Sequence, residues 1–377
     1  MKSVFAVLLG GPMPPVAQVE ERVETPPARR RGRPRRRARS TVIGAVVWLI
    51  LLNVALAAAA YLRPGLRDPL FDQPARDFQR RVESATDRPL TIAFLGSSRT
   101  GWGVRPALAE EAVTAATGRP CIAHNLHVPG SGPIGQLVHW RRLLDRGVKP
   151  DVAVIEVCPP WLAAPNGPPA EAGAFRGDRM TWPEVELVRS YEFPDAVATE
   201  WREATYNPWF GLRLQLVGLV RPKWLPPGVT RPERLPPEYR GWRAPFFVDP
   251  VPRDHYRAAI EQNRPLFEAA TRAIRDDTPP AQALRDLIRE CGEHGTTVAV
   301  WVTPESSDVR AWYSPESDRA LRALVAELQA SGVVVVDGRE WLPDEAFSDG
   351  HHAVRSWADA YTRQVVEKAL LPALRPK

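Results

Sequence analysis

The sequence predicts an α/β fold, a three-layer α/β/α domain around a five-stranded parallel, flavodoxin-like sheet of order 2-1-3-4-5. Three observations predict it. Five short runs rich in apolar and β-branched residues, at 91–95, 121–128, 151–157, 297–303 and 333–337, have the length of buried strands. Helical patterns separate them at 104–117, 133–146, 281–294 and 315–330, with a last one at 353–371. Strands that alternate with helices form parallel sheets covered on both faces through right-handed crossovers. The first strand also runs directly into Gly96-Ser97-Ser98, a tight turn at its carboxyl end, which is where open α/β sheets place their chemistry.

The chain has 377 residues, of which 44% are hydrophobic, enough for one large domain or two smaller ones. Eight arginines fall between Arg29 and Arg39, and removing them from the net charge of +6 leaves −2. The basic character is therefore local, and no nucleic-acid partner is expected for the folded part. Residues 1–40, rich in Pro and Arg, are expected to be a disordered basic tail. Residues 41–62 are apolar apart from Thr41, Asn53 and Tyr61, long enough to span a bilayer as an uncleaved anchor. The arginines before it predict a cytoplasmic N-terminus and a periplasmic or extracellular domain in a single-pass protein. Residues 63–88 read as a partly helical stalk, and 89–377 as the folded domain.

The first turn offers Ser98 as a nucleophile. Between the third and fourth strands, an insertion at 159–280 holds 20 of the 40 prolines and six of the 13 tryptophans. That composition does not extend a sheet, and it reads as a lid packed over the sheet's carboxyl edge. Helical pieces are expected within it at 195–203 and 255–275. Cys121, Cys158 and Cys291 are widely spaced, with no disulfide framework, and the seven histidines show no metal-ligand spacing, so neither a metal nor a cofactor is expected. After the fifth strand comes Ser348-Asp349-Gly350-His351-His352. A carboxylate three residues before a histidine can fix one imidazole nitrogen and leave the other to take a serine's proton. A GxGxxG also occurs, at Gly130-Ser131-Gly132-Pro133-Ile134-Gly135, with Glu156 ending the next strand, a pattern that meets the dinucleotide fingerprint.

With these residues in place the chain resembles the SGNH (GDSL-like) hydrolase superfamily. In particular it resembles the membrane-anchored extracytoplasmic branch that includes alginate O-acetyltransferases and the D-alanyl-transfer proteins of teichoic acid modification. Gly96-Ser97-Ser98 matches the first block, with Ser97 in place of the usual Asp. Asn125-Leu126-His127-Val128-Pro129-Gly130 matches the second, whose glycine donates an N–H to the oxyanion. Asp349 and His352 match the last. The third block departs from the family, because Pro159 stands near the position of its Asn. The resemblance implies an SGNH fold, catalytic Ser98, Asp349 and His352, and an oxyanion hole from the N–H groups of Ser98 and Gly130. Ser97, Arg99, Asn125, His127 and His351 are candidates to line the site. The function expected is a serine esterase or O-acyltransferase acting on acyl, above all acetyl, esters of cell-surface polysaccharide, with a multi-spanning membrane acyltransferase as a partner. The alternatives are an inactive carbohydrate-binding or assembly protein of the same fold and a dinucleotide-binding protein.

Overall fold

The computed structural model describes residues 34–163, 169–225, 237–245 and 248–375. The chain divides into two compact units, Met1–Ile50 and Leu51–Lys377. Helix α1 (Pro34–Leu62) begins in the first unit and ends in the second. Its stretch Ala38–Leu62 is the one described helix long and apolar enough to cross a membrane, and of its residues only Ala60, near the carboxyl end, is buried. At 1.5 Å per residue it outruns a hydrocarbon core of about 30 Å. The helix takes in the last residues of the expected disordered tail. Residues 1–33 of that tail lie outside the described residues.

The rest of the description concerns the second unit. Two helices, α2 (Pro64–Arg67) and α3 (Pro69–Glu83), follow α1. The stretch expected to be a stalk is therefore helical, but it does not stand apart from the domain. Phe71, Ala75 and Phe78 recur at i, i+4 and i+7, one stripe of a helix, and all three are buried in the main core cluster. The many charged residues around that stripe conceal it in the composition.

The sheet is built from β1 (Leu90–Leu95), β2 (Cys121–Asn125), β3 (Val152–Val157), β4 (Thr297–Val302) and β5 (Val334–Asp337). Its order is β2-β1-β3-β4-β5 and every pairing is parallel, as the alternation of elements predicts. Alternate residues face opposite sides. Ala93, Leu95, Ala153, Ile155, Val300 and Val302 join one core cluster, and Ile92, Phe94, Val152, Val154, Ala299 and Trp301 join the other. After β1 come α4 (Ser98–Gly103) and α5 (Pro106–Thr117), and after β2 comes α6 (Pro133–Asp145). The short α4 was hidden by its Gly and Ser content. The ladder continues past β2 through Leu126 N–H to Phe94 C=O and Val128 N–H to Gly96 C=O, both at 2.9 Å.

The insertion holds α7 (Trp182–Arg189), α8 (Ala196–Tyr206), α9 (Pro208–Gly211), α10 (Arg213–Val220) and α11 (Arg253–Arg272). Part of it bonds the loops at the carboxyl edge, through Trp242, Arg243 and Asn263. Another part is core: Val185, Val188, Val197 and Ala198 are buried in the same cluster as the sheet residues. Much of its Pro-rich stretch 224–237 lies outside the described residues. The remaining helices are α12 (Pro279–Glu293), α13 (Ser307–Arg310), α14 (Pro315–Ala330) and α15 (Ala358–Val365), the last running into a π-helical turn at Val366–Leu370. The helix expected from 353 starts five residues late. Ala353 pairs with Phe347 in an antiparallel bridge, and Val354 N–H bonds Ala346 C=O, so these residues close a loop instead.

Candidate active site

The loops after β1 and β5 open on one edge of the sheet and bring together residues 254 positions apart. Gly96 ends β1 where only hydrogen fits, since a Cβ there would lie 2.7 Å from Glu156 Oε2. Ser97 then caps α4 by accepting the Arg99 N–H at 3.2 Å. Ser98 is the first residue of α4 and is half-buried. Its N–H stands among the helix-start donors that no helix satisfies internally.

Ser98 Oγ lies 2.8 Å from His352 Nε2, and His352 Nδ1 lies 2.7 Å from Asp349 Oδ2. Asp349 uses its other oxygen to accept the N–H groups of His351 and His352, at 3.2 and 2.9 Å. The carboxylate thus builds the turn and holds the ring. Burial works against ionisation of Asp349, but the neighbouring His351 and His352 and the hydrogen bonds from His352 prevail and hold its pKa below the usual carboxylate range. An ionised Asp349 assigns the proton of neutral His352 to Nδ1, which leaves Nε2 as the acceptor facing the serine hydroxyl. Asp349, His351 and His352 also present ligand-type atoms within 4.8 Å of one another, and two of the three are engaged in this hydrogen-bonded chain.

The other candidates separate by role. His351 is 6% exposed, and its pKa is held well below the ordinary value, chiefly by burial. It packs between His352, at 4.2 Å between ring centroids, and Phe267 of α11, at 4.9 Å, both rings tilted against its own. Asn125 does not offer its amide to a ligand, because Nδ2 donates to the C=O groups of Thr100 and Val104. His127 packs beneath α4, where a side chain at Gly101 would overlap its ring, and burial pushes it down to about 3. Arg99 is buried, bonding Thr303 Oγ1 at 2.8 Å and Glu305 Oε1 at 3.0 Å. These three are buried against α4 or the residues around it.

Gly130 lies within the turn closed by the Ser131 N–H to Val128 C=O bond, and its φ of +78° is one that glycine adopts freely. Glu171 of the insertion, fully buried, accepts the N–H groups of Gly132, Ile134 and Gly135 at 2.8, 3.0 and 3.0 Å. Burial pushes its carboxyl up to about 7, against the pull of those three bonds. The carboxylate fills the anion cradle that a dinucleotide pyrophosphate would need, so this GxGxxG is a clamped turn beside Gly130.

Several supporting residues were not identified from the sequence. Glu156, fully buried, accepts the Thr100 N–H at 2.9 Å and also the Thr100 hydroxyl, pinning α4 to β3. A lone carboxylate in an apolar parallel strand is the signal that marks it. Trp102 of α4 lies 4.3 Å from the His352 ring, and its C=O accepts Trp242 Nε1–H from the insertion at 2.8 Å. Arg243 N–H bonds Gly101 C=O, and Asn263 Nδ2 bonds Asp349 C=O at 3.4 Å. The insertion therefore braces the loops that carry Ser98 and Asp349. Trp161, just past Pro159, contacts Phe267 and holds its Nε1–H buried without a partner among the described residues.

No family model matches the chain, and no curated protein matches it. Two solved structures similar to it are TesA and a lipase/acylhydrolase from Enterococcus faecalis. TesA is 13% identical, with 75% of this chain and 99% of that one covered and a TM-score of 0.36. The acylhydrolase is 13% identical, with 76% and 98% covered and a TM-score of 0.33. At that level of similarity the chemistry is decided by the side chains themselves.

Proposed function

We propose that this chain is a serine ester hydrolase or O-acyltransferase of the SGNH type, with Ser98 as nucleophile. The observation that carries this is the continuous hydrogen-bonded chain from Ser98 Oγ through His352 to Asp349 Oδ2. Ser98 Oγ attacks the ester carbonyl carbon as its proton passes to His352 Nε2. The oxyanion meets the N–H groups of Ser98 and Gly130. The C–O bond to the leaving alcohol breaks, and that oxygen takes the proton from His352, leaving acyl-Ser98. Water, or an acceptor hydroxyl, then gives its proton to His352 and attacks the acyl carbon; the bond from that carbon to Ser98 Oγ breaks, and Oγ takes the proton back from His352. Asp349 stabilises the imidazolium throughout and is not itself protonated.

The substrate class we favour is acyl, above all acetyl, esters of cell-surface carbohydrate, handled outside the cytoplasm by a domain tethered through Ala38–Leu62. The long apolar helix, the arginines that precede it and the aromatic insertion beside the site support that reading. A multi-spanning membrane acyltransferase would supply the acyl group where transfer, not hydrolysis, is the reaction. The test is p-nitrophenyl acetate hydrolysis by the detergent-solubilised full chain. Ser98→Ala and His352→Ala are each expected to abolish it, and the double variant to be no worse, since the pair acts as a unit. Activity unchanged in either single variant would refute the assignment, and a wild type inert towards all short-chain esters would favour a binding protein.

A further inference from the structure

Past Leu62, eight large apolar side chains are strongly exposed among the described residues, and six of them fall within 206–224. These are Tyr206, Trp209, Phe210, Leu219, Val220 and Trp224. Helix α10, inside this stretch, buries none of its eight residues. The stretch contains no acidic residue, and its charges are Arg213, Arg221 and Lys223. The Arg213 guanidinium lies over the Phe210 ring at 3.8 Å, and that of Arg221 lies 5.8 Å from the Trp224 ring. Exposed apolar side chains grouped this way mark a contact surface, not ordinary solvated surface.

The position of the stretch points to its partner. Pro208 and the 3%-exposed Leu212 root it in the domain. Both line a cavity of about 810 Å³ together with Ala57, Ala60 and Tyr61, the final turns of the apolar helix. Gln215 Nε2 reaches the C=O of Arg67, in the short helix directly after Leu62, at 3.5 Å. The patch therefore sits where the chain would leave the bilayer.

We propose that Tyr206–Trp224 is an interfacial membrane contact, its rings and aliphatic side chains entering the leaflet from which Leu62 emerges. This rests on reading Ala38–Leu62 as a membrane span. Tyr and Trp settle at the headgroup boundary because one end of each is apolar and the other polar. Arginine and lysine lay their stems along the apolar layer and bring their charges to lipid phosphates. The domain is then held to the surface at two places and cannot swing freely about Leu62.

Nitroxide labels on the full chain, reconstituted in vesicles of 3:1 phosphatidylcholine and phosphatidylglycerol, test this in a Cys121→Ala background. Labels at Phe210→Cys and Val220→Cys are compared with Trp48→Cys in the anchor and with Arg319→Cys on the exposed face of α14. The expected result is high oxygen and low nickel-chelate accessibility at 210 and 220, at headgroup-to-acyl depth, with 48 deep in the bilayer and 319 in water. Positions 210 and 220 open to nickel while 48 is deep would overturn the contact and leave the anchor standing. Protection of 210 and 220 from both probes would mean a protein partner or a second copy, and would also overturn it. A label at 48 that reports water would remove the span reading and the contact with it.

Discussion

At the scale of single residues, the site depends on buried polar groups that bond one another and the backbone of the loops carrying Ser98 and His352. Glu156 and Thr100 show this most directly. Thr100 N–H and hydroxyl both bond one oxygen of Glu156, two residues after the nucleophile. Thr100→Val keeps the volume and the N–H bond but removes the hydroxyl, so Glu156 loses one of two partners in a dry site. Leaving a buried polar group short of a partner costs about 1–3 kcal/mol. Urea denaturation should show a loss of that order, and ester hydrolysis should fall because α4 carries Ser98. An unchanged midpoint and rate would show that the second bond contributes nothing. The sequence displays Ser98, Asp349 and His352 clearly because turn position and three-residue spacing are local. It leaves Arg99, Asn125 and His127 ambiguous because a polar residue beside a nucleophile can face the substrate or the core, and only packing decides. Here all three face inward.

At the scale of elements, strand order and parallel pairing follow from a pattern read along the chain, and the structure agrees with it strand by strand. Two elements behave otherwise for the same reason, which is that polar composition masks a narrow apolar stripe. Helix α3 is surrounded by charge yet buries Phe71, Ala75 and Phe78. The insertion looks separable yet places Val185, Val188 and Val197 in the core, so a short linker in its place would open that core. Its Glu171 joins it to the Gly130 turn. Glu171→Gln replaces an acceptor oxygen with an NH₂ group that faces backbone donors, leaving buried N–H groups unpaired at a cost of about 1–3 kcal/mol. The expected outcome is a lower midpoint in urea together with a reduced kcat, because the Gly130 turn, proposed to hold the oxyanion, loosens. A fall in stability with kcat unchanged would show that the clamp does not position Gly130.

At the scale of the whole molecule, buried histidines set the pH response. Burial pushes His124, His127 and His139 down to about 3, and His351 well below its ordinary value. In the unfolded chain each takes up a proton near pH 6.5, whereas the native chain does not. Stability contributed by these groups is therefore complete above pH 6.5 and is lost progressively below it, on the order of 1 kcal/mol per histidine per pH unit. Glu171 acts in the opposite direction, since its raised pKa lets the native chain gain a proton between about 7 and 4.5, but it is one group against four. Urea midpoints of the solubilised chain should fall steeply from pH 7 to pH 5. A flat profile would mean that these rings protonate in the native state.

The central claim is that Ser98 is activated in the folded chain, and a fluorophosphonate probe tests it most directly. Incubation of the full-length protein with the probe, followed by peptide mass spectrometry, should find one adduct, on Ser98, lost in Ser98→Ala and strongly reduced in His352→Ala. An adduct that persists in Ser98→Ala, or a folded wild-type chain that takes up no probe, would contradict the account.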